Sequence, residues 1–356
     1  MASKAPSPAL AALVTRRYPI QTDVWADFWQ RLAAKELASG EALAVLSSLT
    51  TQMPDGASVS ALLSSLRARN PQPDPPARTT VNIVGTGGGP STFNLSTASA
   101  FVAAAMGTRV IKTGSRAYAS RTGSVDLLDR LGIRMAGSYE EIEQLLDAFG
   151  IACAGPFIYP KELRLLARQI LPFDMKTVGR FFNLVGPFLA AVPVSTQITG
   201  ISDHSVLPVF RALAAEDPTR DYWLCWNDLG CDELLSVADG YVYDSARDEQ
   251  RVIAPSELGL TARPFEDLLP VSDLEQTVPH FMALICGDGP PGAIESIRLN
   301  AAVLAINGGV TDDWRAALTL ASETMASGEP PRLIERLRAH GERAKATAPA
   351  TGLGSR

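Results

Sequence analysis

The chain has 356 residues, 46% of them hydrophobic and 20% charged, a balance that excludes disorder as the main state. With 32 basic against 38 acidic residues the net charge is −6, which excludes nucleic-acid binding through whole-surface charge, though not a local basic groove. No apolar run approaches the roughly 20 residues that span a bilayer, so no membrane partner is expected.

In chain order, residues 1–20 are rich in Ala, Ser and Pro and read as loosely ordered. The apolar run from Ala9 to Val14 is too short for a secretory leader and carries Arg16 and Arg17 on the wrong side, so a cytoplasmic location is expected. Thr22 and Asp23 can cap a helix that bears Trp25, Phe28, Trp29, Leu32 and Ala33 at three-to-four spacing. Gly40 to Leu49 and Val59 to Leu66 read as two further helices. The Pro-rich stretch 70–76 then breaks the periodicity as a linker.

Past the linker the rhythm changes to strand, glycine loop, helix, strand, as in a parallel α/β sheet. Thr80 to Val84 is strand-like and ends in Gly85, Thr86, Gly87, Gly88 and Gly89. Ser96 to Met106 is helical and Arg109 to Lys112 a short strand. Tyr139 to Phe149 and Asp203 to Ala214 read as helices. Ile151 to Ala154, Val194 to Ile198, Tyr222 to Trp226 and Tyr241 to Tyr243 read as strands. From Ala293 to about His340 the pattern gives two or three helices, broken at Gly308-Gly309 and Gly328 to Pro330. Residues 159–186 interrupt the rhythm, with Lys161 to Ile170 helical and Phe181 to Pro187 apolar.

The expected fold is α/β: a small all-helical N-terminal domain over 1–76, to which 159–186 returns, and a larger α/β domain over 77–158 and 187–346. The larger domain has a mostly parallel central sheet flanked by helices, and 347–356 form a tail. Cys153, Cys225, Cys231 and Cys286 have no metal-ligand spacing and read as buried free thiols.

Three segments carry chemistry. The glycines after the first strand let the backbone approach an anion and aim N–H groups at it, and the helix starting near Ser96 adds its positive end. Pro90 excludes a dinucleotide-binding fingerprint, and no Gly-Lys-Ser/Thr follows to make a P-loop. Lys112, Thr113, Gly114, Ser115 and Arg116, with Ser120 to Ser124 behind them, leave the next strand at the same sheet edge, where α/β proteins bind ligands. Together the two loops suit a phosphorylated ligand. Asp232 and Glu233 diverge in an extended segment and suit a Mg²⁺ bound also by phosphate oxygens.

These segments resemble, in order, those of the anthranilate phosphoribosyltransferase family: Val84 to Gly88, Asn94 to Thr97, Lys112 to Asp126, Phe182 to Pro187, Asp232-Glu233 and Leu299 to Ala302. The resemblance covers roughly residues 20 to 345. It implies a helical domain and an α/β domain, association as a homodimer through the helical domain, and use of phosphoribosyl pyrophosphate (PRPP) with Mg²⁺. It implies that Gly85, Thr86, Gly87 and Gly88 cradle the pyrophosphate and that Asn94, Ser96, Thr97, Lys112 and Ser120 bind the rest of PRPP. Ser96, Asp232 and Glu233 become metal ligands, and Lys112 and Arg116 catalytic groups that stabilise the departing pyrophosphate.

The departures fall on the acceptor side. Gly89 stands where the family has Asp, Thr113 and Ser115 where it has His and Asn, and Gly179 where an Arg holds the anthranilate carboxylate; Arg180 is one position away. Thr113, Ser115 and Arg180 are therefore the candidate acceptor contacts. The expected reaction transfers phosphoribosyl from PRPP to a small aromatic amine, anthranilate first, as in tryptophan biosynthesis. The alternatives are another aromatic or heterocyclic acceptor, a nucleoside phosphorylase, or a catalytically silent relative that binds nucleic acid or a protein partner. The retained acidic pair counts against the phosphorylase and the net charge against nucleic acid.

Overall fold

A computed structural model describes residues 5–70, 73–74, 76–114, 123–261 and 263–347, without the side chains of 345–347. Four helices come first: α1 (Pro8–Thr15), α2 (Thr22–Ala34), α3 (Glu41–Thr51) and α4 (Gly56–Arg67). α1 corrects the expectation of a loose start. Ser7 Oγ accepts from the Leu10 N–H, Pro8 takes the first helical turn where its missing N–H costs nothing, and Ala9 and Leu13 are buried. Glu41 of α3 in turn accepts from the Ser7 N–H at 2.7 Å. α2 is preceded by Gln21, which makes no side-chain cap. Asp23 lies instead in the first turn, where the helix dipole favours a carboxylate.

The three-to-four spacing in α2 is realised as a buried stripe of Trp25, Phe28, Trp29 and Leu32. Trp29 Nε1 donates to Ser65 Oγ of α4 at 2.9 Å, which satisfies the one polar atom of a side chain with no exposed surface. The segment after residue 159 supplies α8 (Lys161–Gln169) and α10 (Arg180–Leu189), whose Leu166, Phe181, Phe182, Val185 and Phe188 join the same apolar cluster. Trp29→Ala should lower the unfolding free energy by about 3–5 kcal/mol, measured by denaturant titration. A loss under about 1 kcal/mol would show that the stripe is not the core of this unit.

Seven strands form one sheet among the described residues, in the order β3-β2-β1-β4-β5-β6-β7. They are β1 (Val81–Gly85), β2 (Val110–Lys112), β3 (Ile151–Cys153), β4 (Thr196–Gly200), β5 (Asp221–Asn227), β6 (Gly240–Asp244) and β7 (Glu249–Ile253). The first five in chain order run parallel, and β6 and β7 add antiparallel pairs at one edge. The sheet is thus mostly parallel, as expected. Alternation along β5 turns Trp223 and Cys225 to one apolar cluster, and Tyr222, Leu224 and Trp226 to the helical one.

The remaining helices are α5 (Leu95–Ala105), α6 (Ser124–Leu131), α7 (Tyr139–Phe149), α8 (Lys161–Gln169), α9 (Met175–Val178), α10 (Arg180–Leu189), α11 (Leu207–Ala215) and α12 (Thr277–Ile285). The chain closes with α13 (Pro291–Asn307), α14 (Trp314–Ala326) and α15 (Glu329–Thr347). α5 and α13 are small-residue helices packed on each other in the core; Ala100, Ala103, Ala301 and Ala302 have almost no exposed surface. Cys153, Cys225 and Cys231 are buried free thiols, but Cys286 is exposed, because it follows the last turn of α12. Among the described residues no helix is long and apolar enough to cross a membrane.

Candidate active site

A cavity of about 520 Å³ opens at the carboxyl ends of the parallel strands, where an open α/β sheet places its ligands. One limb is walled by Gly85 to Asn94, Ser96, Lys112, Gly114, Gly123, Ser124, Asp232 and Glu233. Gly87 and Gly88 adopt φ of 69° and 88°, left-handed values that side chains resist, so the loop after β1 turns with its backbone bare. The amino ends of α5 and α6 reach the same limb through Asn94, Ser96, Gly123 and Ser124. Two helix amino ends and one lysine give this limb a chemistry that favours an anion.

The acidic pair folds over that loop. The Gly87 N–H donates to Asp232 Oδ2 at 2.7 Å, the Ser96 N–H to Glu233 Oε1 at 3.0 Å, and Thr92 Oγ1 to Glu233 Oε2 at 2.5 Å. The two carboxylates diverge, one to the glycine loop and one to the start of α5. Burial pushes Asp232 above the usual carboxylate range, and burial together with the Asp232 charge pushes Glu233 up to about 8. Lys112, at the end of β2, is buried and lowered to about 8 by desolvation, against the pull of Cys153, Glu233 and Asp232. Its Nζ donates to Thr113 O at 2.6 Å. A cation at the pair would bring both carboxylates back to their charged form.

Two glycines make this approach possible. A Cβ on Gly85 would lie 2.0 Å from Asp232 Oδ2, and one on Gly200 1.7 Å from the Asp232 carbonyl oxygen. The departure at Gly89 has the same origin, since a Cβ there would meet Gly230 O at 2.1 Å. Ser202 completes the loop's support: its N–H donates to Thr86 Oγ1 at 3.3 Å and its Oγ to Gly87 O at 2.5 Å.

The second limb is apolar. Met135, Pro156, Tyr159, Leu163, Met175, Phe182 and Pro187 line it, with the Asn183 amide as its polar side chain on α10. Burial raises the Tyr159 hydroxyl to about 12, so it stays protonated. Tyr159, Leu163, Met175, Phe182 and Asn183 come from 159–186, the stretch that broke the α/β rhythm.

Of the residues singled out in the sequence, Gly85, Thr86, Gly87, Gly88, Asn94, Ser96, Lys112, Asp232 and Glu233 meet on the first limb. Thr97 does not: it is fully buried in the first turn of α5, with its hydroxyl unpartnered among the described residues. Ser115, Arg116, Ser120 and Arg121 lie outside the described residues.

Thr113 and Arg180 are not among the described residues that line the cavity. Thr113 is buried on the sheet, where its Oγ1 donates to Asn82 Oδ1 at 3.1 Å and accepts from Asn82 Nδ2 at 3.0 Å. Asn82 Nδ2 also donates to Gln197 Oε1 at 3.3 Å, and Gln197 Nε2 donates to Pro187 O at 3.0 Å. Thr113 thus belongs to a buried polar chain that ties the exit of β2 to the end of α10. Arg180 is exposed at the start of α10; Ser205 chiefly, and the Arg180 charge in part, hold Asp203 below its usual range. Thr113→Val should cost about 1–3 kcal/mol by stranding Asn82, while leaving the acceptor KM unchanged. A raised acceptor KM at unchanged stability would return Thr113 to the acceptor side.

Thr92, Ser202, Met135, Tyr159, Leu163 and Met175 were not anticipated. Thr92 and Ser202 are ordinary loop hydroxyls with no sequence signal. Tyr159, Leu163 and Met175 were legible only as part of a segment out of place, and Met135 carried no signal.

Comparison with known proteins places this geometry. A model of the glycosyl transferase family a/b domain matches residues 77–330. Over 252 residues the chain is 31% identical to the anthranilate phosphoribosyltransferase of Synechococcus elongatus, covering 70% of this chain and 71% of that one. It superimposes on the crystal structure of the Thermus thermophilus anthranilate phosphoribosyltransferase with a TM-score of 0.77 at 25% identity, over 94% of this chain and 99% of the other. The Saccharomyces cerevisiae enzyme, solved in complex with PRPP and Mg, shares the fold with a TM-score of 0.76 at 21% identity, over 94% and 97% of the two chains.

Proposed function

The chain belongs to the anthranilate phosphoribosyltransferase family of glycosyl transferases, and from that premise we propose that it transfers phosphoribosyl from PRPP to a small aromatic amine, anthranilate first. The observation that carries this reading is a single cavity in which a glycine loop and an acidic pair share a wall with Met135, Tyr159, Leu163, Met175 and Phe182.

The donor set fits Mg²⁺. Asp232, Glu233 and Ser96 offer oxygen, and among the described residues no cluster of three His, Cys, Asp or Glu exists to cage a metal alone. That suits an ion that keeps waters and shares phosphate oxygens. When bound it supplies positive charge to the pyrophosphate oxygens.

The chain's own residues do the rest. The bare backbone turn of Gly85, Thr86, Gly87 and Gly88 leaves room for the pyrophosphate, with Asn94 and Ser96 on the same cavity wall, and Ser120 is assigned to PRPP by the family resemblance alone. Thr97 contributes by packing the first turn of α5. Lys112 and Arg116 stabilise charge as the bond from ribose C1 to the pyrophosphate oxygen breaks. The amine nitrogen, held in the apolar limb, forms the new bond to C1, and its proton leaves to solvent or pyrophosphate. Alignment of donor and acceptor does most of the work, so no strong base is required.

Residues 1–76 with 159–186 form the helical domain in this reading, 77–158 and 187–346 the α/β domain, and two copies pair through the helical domain. Sedimentation at the mass of a single chain would contradict the pairing.

A second acceptor reading has its own support. With Thr113 and Arg180 away from the cavity, Lys112 is the cationic side chain that lines it among the described residues. A heterocycle or an aromatic amine without a carboxylate suits such a wall.

Titration calorimetry with PRPP tests the shared chemistry. Binding that requires Mg²⁺ is the expected result; absence of binding with and without the metal contradicts it.

A further inference from the structure

Asp232 and Glu233 stand on the irregular stretch between β5 and β6, so neither a helix nor a strand fixes them. What ties that stretch down is Asn227, the last residue of β5, whose side chain is fully buried. Its Nδ2 donates to Cys231 O at 3.1 Å and to Glu233 O at 2.8 Å. Its Oδ1 accepts from the Leu229 N–H at 3.0 Å and the Cys231 N–H at 3.2 Å.

An amide has two N–H donors and two oxygen lone pairs, and here all four are spent on residues 229–233. No carboxylate, hydroxyl or apolar side chain can make that set. The Asn227 carbonyl is held as well, accepting from the Gly230 N–H at 3.1 Å and lying 2.9 Å from His204 Nε2. Gly230, at φ 72°, lets the chain turn back under this grip.

The side-chain bonds of the pair cannot serve as its anchor. Asp232 and Glu233 accept from Gly87, Ser96 and Thr92 through the same carboxylate oxygens that a cation would share. The backbone clasp uses none of those oxygens.

We propose that Asn227 is a positioning residue: it holds the backbone of Asp232 and Glu233 so that the carboxylates meet Mg²⁺ preplaced, without itself touching metal or substrate. The proposal rests on the transferase reading above. Loss of such an outer partner characteristically weakens metal binding by about 10–100-fold.

The test measures PRPP binding by calorimetry over a range of Mg²⁺ concentrations for the wild type, Asn227→Ala and Leu62→Ala. Leu62 is buried in the helical cluster on α4 and takes no part in the Asn227 hydrogen bonds, so its truncation lowers stability without removing the clasp. Asn227→Ala should raise the Mg²⁺ concentration for half-maximal binding about tenfold or more and speed amide hydrogen exchange across 228–234. Leu62→Ala should keep the wild-type Mg²⁺ requirement at a lowered melting temperature. Should Asn227→Ala not fold, Asn227→Asp, which keeps the accepting oxygen and loses both donors, is read in the same way. A folded variant with the wild-type Mg²⁺ requirement overturns the clasp alone. A wild type that binds no PRPP at any Mg²⁺ concentration overturns the transferase reading and the clasp with it.

Discussion

Asp232→Ala and Glu233→Ala should each lower kcat/KM for PRPP by at least about 100-fold, more than the loss of an outer partner costs a metal site. Both carboxylates are held above their ordinary range by burial, and the protein bears that cost at the mouth of an anion site. Neutral carboxylic acids there would serve no structural purpose that an amide could not serve better. A cation is what makes two adjacent, half-buried carboxylates favourable. Raising Mg²⁺ should not restore either variant, because the ligand itself is gone. Steady-state kinetics over a Mg²⁺ series read the effect. Near-wild-type kcat/KM in both variants would show that the pair is not a metal site.

Gly200→Ala should be the most damaging single methyl on this sheet. Its Cβ would sit 1.7 Å from the Asp232 carbonyl oxygen and 2.4 Å from the carbonyl carbon, both backbone atoms that cannot rotate aside. Either β4 or the acidic segment has to move, at a cost of about 3 kcal/mol or more, with Mg²⁺-dependent PRPP binding lost as well. Gly186 on α10 gives the contrast. A Cβ there meets nothing within 4 Å, so Gly186→Ala should stabilise the helix by about 0.5–1 kcal/mol. Thermal unfolding of the two variants side by side checks both signs. A Gly200→Ala protein as stable as the wild type would mean that the acidic segment does not press on β4.

Local chemistry made much of this architecture readable. The helix over 139–149 and the strand before the glycine loop announce themselves by periodicity and by the loop that follows. β7 did not: Glu249, Gln250 and Arg251 are polar, because an edge strand has one neighbour and a solvated side, and only its pairing with β6 makes it a strand. α1 was missed because Ala and Pro content outweighed a Ser7–Pro8 start signal.

On the donor side, residue types and their order were enough to pick out residues that share one cavity wall. The acceptor side is different. Thr113 occupies a position that motif order assigns to the acceptor, yet its hydroxyl is turned onto Asn82. Side-chain direction at the end of a strand depends on the neighbouring strands, which sequence spacing does not carry. Asn227 was invisible for the same reason: a buried asparagine shows its purpose only when the four groups around it are in place.

The most direct test of the account mixes the purified protein with PRPP, Mg²⁺ and anthranilate and follows anthranilate fluorescence. Loss of fluorescence that requires both PRPP and Mg²⁺ is the predicted result. Unchanged fluorescence from a protein that still binds PRPP in a Mg²⁺-dependent way would contradict anthranilate as the acceptor, and unchanged fluorescence without PRPP binding would contradict the transferase reading itself.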